Sequence, residues 1–345
     1  MNNMSDMNYK LLGRSGIRVS ELCLGTMTFG TDWGWGSEKS EAKKIYEEFV
    51  SKGGNFFDTA NIYTKGTSEK MLGEFIGVDR EEMVIASKYS LSEEGKANKA
   101  GNHRKNMNQS IEASLKRLNT DYIDVYYVHA WDFTVKPEEL MRNLEYLVAS
   151  GKVLSIGISD TPAWITSKCN TIAEQKGWTP FSAYQVEYCL TEHSADREIL
   201  PCSEGFDMTF CGFGPLAAGL LSGKYLQESD EPRRMDSRKS PRLSDRNLAI
   251  SQQVVDLAKE WGYHPSAVAI RWAMQQFKNS SPIFGARSHK HIIQNLQCLE
   301  FELNQDQLNK LDKIAAIDSN NPNAFLELPR IKEILYGDQL HRIEF

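Results

Sequence analysis

Short apolar runs alternate with amphipathic stretches along about 300 of the chain's 345 residues. That alternation restricts the fold more than any other feature. A strand buried on both faces reads as a brief continuous apolar run, and a helix laid over it repeats with a period near 3.6 residues. Strict alternation of the two predicts a parallel sheet covered by helices. The predicted strands are Glu21–Leu24, Asn55–Asp58, Met83–Ser87, Tyr122–Val128, Val153–Ser159, Ala183–Glu187, Met208–Gly212 and Pro282–Phe284. The predicted helices are Ser40–Ser51, Ser68–Ile76, Arg104–Leu118, Pro137–Ala149, Pro162–Lys176, Ile199–Glu204, Leu248–Trp261 and His289–Leu299. Eight strands, each followed by a helix, favour an α/β fold of the closed (β/α)8 TIM-barrel type over an open doubly wound sheet. Gly53-Gly54 and Gly151 stand where C-terminal caps of the first and fourth helices belong.

Three pieces fall outside the repeat. Residues 9–19 read as an N-terminal β-hairpin around Gly13-Arg14-Ser15-Gly16, placed to plug the barrel bottom. Pro265–Gln276 and Gln305–Ile317 read as two extra helices. The charged stretch 226–247, with Glu231-Pro232-Arg233-Arg234 and Arg238-Lys239-Ser240-Pro241-Arg242, reads as a long mobile loop after the seventh strand, either a solvated surface loop or a lid. Residues 318–345 form a C-terminal tail. No interdomain linker or low-complexity segment appears, so 1–345 reads as a single barrel domain.

The bulk composition excludes several classes. A net charge of −6 with no polybasic block argues against nucleic-acid binding. The first residues lack the basic and apolar regions of a signal peptide, and no apolar run is long enough to span a membrane. A cytoplasmic protein is expected. The six cysteines are scattered without a C-x-x-C and read as free thiols. Neither they nor the seven histidines show metal-ligand spacing, so no metal is expected.

The chemistry concentrates at strand tips. Asp58, Lys88 and His129 each end an apolar run, and Tyr63 lies just beyond Asp58. Taken singly, each has an ordinary reading: a helix N-cap, a snorkelling strand-end lysine, a satisfied core histidine. Together they stand at C-terminal strand ends, where barrel enzymes keep their active sites. A phenol, ammonium, carboxylate and imidazole at one mouth can protonate a carbonyl oxygen while a hydride arrives from elsewhere. No G-x-G-x-x-G follows the first strand, which argues against a Rossmann site. Leu220-Leu221-Ser222-Gly223-Lys224-Tyr225 lacks the Walker pattern.

Several ordered motifs resemble the aldo-keto reductase family, over essentially the whole chain. They are Asn55-Phe56-Phe57-Asp58-Thr59-Ala60-Asn61-Ile62-Tyr63, the positions of Lys88 and His129, Gly151-Lys152-Val153-Leu154-Ser155-Ile156-Gly157-Ile158-Ser159, Phe213-Gly214-Pro215-Leu216 with Gly219 and Gly223-Lys224, and Pro282-Ile283-Phe284-Gly285-Ala286-Arg287-Ser288 continuing to Asn295. Ser159-Asp160-Thr161-Pro162-Ala163-Trp164 and His129-Ala130-Trp131-Asp132 look most like the aryl-alcohol dehydrogenase-like branch.

The resemblance implies an NADP(H)-dependent oxidoreductase that reduces aldehydes or ketones, with Asp58, Tyr63, Lys88 and His129 as its catalytic tetrad. Tyr63 would be the general acid, its phenol lowered from a pKa near 10 by the Lys88 ammonium. Asp58 would hold Lys88, and His129 would orient the substrate carbonyl. Gly25, Thr26 and Met27 would line the nicotinamide side near Asp58. Ser159, Asp160 and Gln185 would hold the carboxamide, although relatives more commonly have Asn at the position of Asp160. Phe213 would stack under the ring within the loop Phe213-Gly214-Pro215-Leu216 and Gly219, and Lys224 would meet the pyrophosphate. Gly285, Ala286, Arg287 and Ser288 would surround the 2′-phosphate together with His291, where relatives often have Gln or Arg. Gln294 and Asn295 would contact adenine.

Trp33, Trp35 and Trp131 follow strand tips and read either as aromatic walls for an apolar or aromatic carbonyl substrate or as ordinary lid packing. The polar stretch Tyr89–Gly101 has no role assigned by its sequence. A monomer or weak oligomer is expected. The first alternative is a cofactor-binding regulatory subunit with slow turnover, like the channel-associated β subunits that share this fold. The second is a metal-dependent barrel hydrolase or isomerase, for which Asp58, His129 and Glu187 are the few tip ligands.

Overall fold

The computed structural model describes residues 6–227, 235, 240–318 and 320–343. The chain opens with the antiparallel pair β1 (Tyr9–Leu11) and β2 (Arg18–Ser20), with Lys10 opposite Val19. Among the described residues, eight parallel strands follow: β3 (Cys23–Gly25), β4 (Phe56–Asp58), β5 (Val84–Tyr89), β6 (Ile123–Val128), β7 (Val153–Ser159), β8 (Phe181–Gln185), β9 (Thr209–Phe210) and β10 (Ile283–Phe284). They pair in the order β10-β3-β4-β5-β6-β7-β8-β9. The ring closes through Ser281 N donating to Phe210 O and Ile283 N donating to Gly212 O, both at 2.9 Å. The fold is the closed (β/α)8 barrel that the alternation implied.

Helices α1 (Lys39–Ser51), α2 (Thr67–Ile76), α3 (Arg104–Leu118), α4 (Pro137–Ala149), α5 (Ala163–Lys176) and α6 (Ile199–Gly205) each follow a strand. Then come α7 (Asp245–Trp261) and α8 (Pro265–Gln275) after β9, α9 (His289–Leu296) and α10 (Gln305–Ala315) after β10, and α11 (Asn323–Leu326) and α12 (Pro329–Leu335) in the tail. Local chemistry sets their ends. Proline opens α4 and α8, where a missing N–H costs nothing. Asn304 and Gln307 form a reciprocal capping box at α10.

Two apolar layers explain why the strands read as continuous runs. Inside the barrel lie Cys23, Phe56, Val84, Ala86, Val125, Tyr127, Ala183, Cys211 and Ile283. Their neighbours Leu24, Phe57, Ile85, Tyr126 and Tyr184 face the helices. Gly157 makes room for Tyr127, because a Cβ there would overlap the phenol ring. Leu12 and Val19 of the hairpin join the inner layer, and Gly13 N donates to Thr209 Oγ1 at 2.8 Å. The hairpin therefore plugs the barrel bottom.

Some boundaries differ from expectation. The sixth barrel strand runs over Phe181–Gln185, so Glu187 lies beyond it in a lone bridge to Phe213. The seventh shrinks to Thr209–Phe210. The helix expected from Leu248 begins at Asp245, because Ser244 caps it. Before it, Pro241–Leu243 forms a single 3-10 turn. The expected loop 226–247 is thus shorter at its end, and its residues 228–234 and 236–239 lie outside the described residues. The last barrel helix stops at Leu296 and continues as a 3-10 turn, Gln297–Leu299. Among the described residues no helix is long and apolar enough to cross a membrane.

Candidate active site

Parallel register brings the chemistry to one mouth. Asp58 ends β4 and pairs with Ala86 of β5, which puts Lys88 one pleat beyond it on the same inner face. Lys88 is fully buried. Its ammonium donates to Asp58 Oδ1, to Thr59 O at 2.8 Å and to Tyr63 Oη at 3.2 Å, which uses all three of its protons. Asp58 Oδ2 accepts from Gln185 Nε2 of β8 at 2.9 Å, across the barrel.

Tyr63 is held by an unusual turn. Thr64 and Lys65, just after it, are left-handed, with φ of 46° and 55°. Such backbone costs on the order of 1–3 kcal/mol per residue and persists only where its surroundings fix it. Here Thr64 Oγ1 donates to Phe29 O at 2.7 Å and accepts from Ser68 N at 3.0 Å. Ser68 Oγ in turn donates to Thr26 O at 2.7 Å. His129 follows β6 with its ring edge-on to Tyr63 at 5.9 Å between centroids. Its Nδ1 is buried without a partner.

Burial dominates the electrostatics. It pushes the Tyr63 phenol upward, and although Lys88 pulls the other way, the net shift is upward. This corrects the expectation of a phenol lowered by the ammonium, which took no account of the desolvation penalty. Burial disfavours the Lys88 cation, but Asp58 and Tyr63 outweigh it and the pKa is raised. Burial and then Lys88 lower His129 to about 3, so its imidazole is neutral.

Asp58, Tyr63 and His129 line a cleft of about 860 Å³, with Lys88 buried behind them. At one end Trp33 packs edge-on to Tyr63 at 6.4 Å and against Trp35 at 5.6 Å. Trp33 Nε1 donates to Glu93 Oε2 at 3.2 Å. Gly25, Met27, Ser159, Asp160, Gln185 and Phe213 line the middle, and Gly214, Pro215, Leu216, Gly219 and Lys224 continue one wall. Ser159 Oγ is buried and unpartnered. Asp160 keeps contact with solvent, yet the walls around it and then Glu187 push its carboxyl up to about 6, against Lys88. Gly285, Ala286, Arg287, His291, Gln294 and Asn295 line the far end. Burial lowers His291, and Lys224, Arg287 and Lys290 add to the effect.

Three expected contacts do not line the cleft. The Thr26 hydroxyl is buried, donating to Asp58 O at 3.0 Å and meeting Ser68 Oγ at 2.8 Å. Ser288 turns its hydroxyl onto His291 N to cap α9. Trp131 packs inward, because its backbone N bonds Asp160 O at 3.4 Å and its ring joins the outer core edge-on to Phe133. Conversely, Thr28, Ile62, Leu91, Glu93, Glu187 and Arg242 line the cleft and were not expected to. Arg242 binds Glu187 with two nitrogens, at 2.6–3.1 Å. The charged run around Arg242 was the one visible signal for this pair. Leu91 and Glu93 sit in the polar stretch 89–101, which has no periodicity. Among the described residues no group of three His, Cys, Asp or Glu side chains stands together as a metal site.

A parallel barrel with a buried carboxylate and ammonium and a half-buried phenol and imidazole at its mouth, opening onto a cleft with a cationic far end, defines an acid–base barrel enzyme. The chain matches the aldo/keto reductase family model over residues 21–316, and it belongs to that family. It is therefore an oxidoreductase of carbonyl compounds. It is 36% identical over 327 residues to norsolorinic acid reductase of Aspergillus flavus, covering 92% of this chain and 83% of the relative. It is 36% identical over 332 residues to aryl-alcohol dehydrogenase [NADP(+)] of Phanerodontia chrysosporium, covering 89% and 85%. Norsolorinic acid reductase B of Dothistroma septosporum is 35% identical over 336 residues, covering 93% and 84%.

Proposed function

We propose that this protein is an NADP(H)-dependent reductase of aromatic or apolar aldehydes and ketones, with Tyr63 as its proton donor. The observation that carries the reading is the Lys88 ammonium, which bonds both Asp58 and the Tyr63 phenol at the mouth of the cleft. The relatives that resemble the chain are named for aryl alcohols, norsolorinic acid and NADP(+), which agrees with it.

The residues present fit a nicotinamide dinucleotide. Ser159 Oγ is a buried polar atom without a partner, the kind of group a carboxamide would satisfy. Lys224, Arg287 and His291 supply cationic or hydrogen-bonding groups for phosphates. Gly25, Met27, Asp160, Gln185, Phe213 and the wall through Leu216 and Gly219 would hold the ring and ribose. Gly285, Ala286, Gln294 and Asn295 would hold the adenosine end. When bound, the cofactor supplies the hydride to the carbonyl carbon.

The chain's own groups handle the proton. Tyr63, kept protonated by burial, gives its proton to the carbonyl oxygen as negative charge develops there. Lys88 then stabilises the tyrosinate through its existing contact, and Asp58 and Gln185 keep the ammonium aimed. Neutral His129 offers a single N–H to the same oxygen and orients the substrate. Trp33 and Trp35 supply the flat apolar wall suited to an aromatic ring.

Fluorescence titration with NADPH and NADH, followed by NADPH consumption on a panel of aromatic and aliphatic aldehydes, tests this. Tight NADPH binding with aromatic-selective turnover is expected. Binding with negligible turnover on every aldehyde would favour the regulatory-subunit reading instead.

A further inference from the structure

We propose that Asp160 makes the charge of the cleft mouth pH-dependent, so that the site favours the cationic, oxidised nicotinamide over the neutral, reduced one as pH rises. The inference rests on the nicotinamide-binding reading above.

Asp160 follows directly on β7, with its backbone in the left-handed region at φ 36°. Both of its backbone polar groups are tied: N donates to Gln185 O at 3.1 Å, and O accepts from Trp131 N at 3.4 Å. The side chain is thereby held at the cleft that Asp58, Tyr63 and His129 also line. Its carboxyl has no hydrogen-bond donor among the described residues, whereas two other carboxylates at the mouth are matched by cations. Asp58 is paired with Lys88, and Glu187 beyond β8 with Arg242. Tyr63 and His129 are uncharged at neutral pH, as their shifts require. Glu93 also lines the cleft, where it accepts from the Trp33 indole N–H. Lys224, Arg287 and His291 belong to the other end of the cleft. The two ion pairs cancel, so ionisation of Asp160 adds one further negative charge to the mouth.

The surrounding walls and Glu187 set that ionisation near pH 6. Below it the carboxyl is protonated and indifferent to the ring's charge. Above it the carboxylate attracts a nicotinamide cation and gives nothing to the neutral reduced ring. A unit charge several ångströms away in a partly open site changes a binding constant by about fivefold to tenfold.

The test is a pair of dissociation constants, for NADP+ and for NADPH, measured by fluorescence at pH 5.5 and pH 8. The two ligands share their pyrophosphate and 2′-phosphate, so titration at the far end, including that of His291, cancels in the ratio. In the wild type the NADPH/NADP+ ratio of dissociation constants should rise about fivefold to tenfold with pH. In Asp160→Asn it should be flat and stay at its low-pH value. Asn tolerates left-handed backbone, so the fold should persist. A ratio that rises equally in Asp160→Asn, or that is flat in wild type, overturns the proposal. Failure of wild type to bind either cofactor overturns the nicotinamide reading and the proposal with it.

Discussion

Lys88 Nζ lies 3.2 Å from Tyr63 Oη inside a site that excludes water from the ammonium entirely. The proximity does not make the phenol a ready acid by lowering its resting pKa, since burial raises it. It places a positive charge where the tyrosinate forms, so the benefit appears as the proton leaves.

Tyr63→Phe should therefore keep cofactor affinity and lose carbonyl reduction by about 10²–10⁴-fold, the usual value of general acid catalysis. Steady-state rates on one aromatic aldehyde, with an NADPH titration alongside, check this. Full activity in the variant would remove Tyr63 from the mechanism.

Lys88→Met should abolish most activity and also cost stability. It leaves the buried Asp58 carboxylate with Gln185 as its remaining side-chain donor. Breaking a buried pair on one side costs about 3–5 kcal/mol. The double variant Asp58→Asn/Lys88→Met should recover part of that loss, because no buried charge is left unmatched. Urea unfolding of the two variants and the wild type reads the difference. Equal losses in the single and double variants would mean that the pair is not coupled.

Arg287→Ala should lower the preference for NADPH over NADH by at least about tenfold, the value of one charge-assisted contact. His291 enters differently. Burial and the cations around it hold its pKa below the usual value, so it is neutral at pH 7 and charges only in mild acid. A rise in the preference should therefore begin below pH 7 and not at pH 8, and the 2′-phosphate, which loses charge near pH 6, partly opposes it. Dissociation constants of both cofactors at pH 8, 7 and 6, for wild type, Arg287→Ala and His291→Gln, separate the two contributions. An unchanged ratio in Arg287→Ala would misplace the phosphate site.

The barrel and its four polar tips were legible because parallel strands are buried on both faces, so a polar residue such as Lys88 at the end of Met83–Ser87 stands out against an apolar run. Side-chain direction past the tips was not legible. Trp131 and Trp33 look alike in sequence, but a backbone bond to Asp160 turns the first loop inward. Thr26 and Ser288 each bond a nearby backbone group, which periodicity does not reveal. The Arg242–Glu187 pair joins residues 55 apart and depends on tertiary geometry alone. The frame of β8 was misread because Val186-Glu187 prolongs the run after the strand pairing has stopped.

Gly73 sets how closely α2 and α3 approach. A Cβ there would overlap the Leu118 carbonyl, which is rigid backbone. Gly73→Ala should gain helix propensity of about 1 kcal/mol but force the helices apart at about 1–3 kcal/mol. A net loss in the urea midpoint is expected. The rate should fall too, since α2 begins just after the turn that holds Tyr63. A stabilised variant would show that the helices separate freely.

His193 is expected to make stability fall as pH rises. Its Nδ1 lies 2.7 Å from Asp196 Oδ2 and its Nε2 lies 2.9 Å from Ala315 O, both acceptors, so the ring bonds fully only as an imidazolium. Burial opposes the charge, but Asp196 and the Ala315 carbonyl outweigh it and the pKa is raised. Tyr188 Oη bonds the other Asp196 oxygen at 2.7 Å, and Arg246 shares the Ala315 carbonyl at 3.1 Å, so the ring pins the end of α10 to the loop after β8. With the folded pKa above the unfolded one, the contribution is complete below about pH 6.5 and disappears as pH rises through the folded value. His193→Gln should therefore cost more stability at pH 6 than at pH 8.5. Urea midpoints of both proteins at the two pH values decide it: an equal cost at both would mean that the native imidazole is neutral.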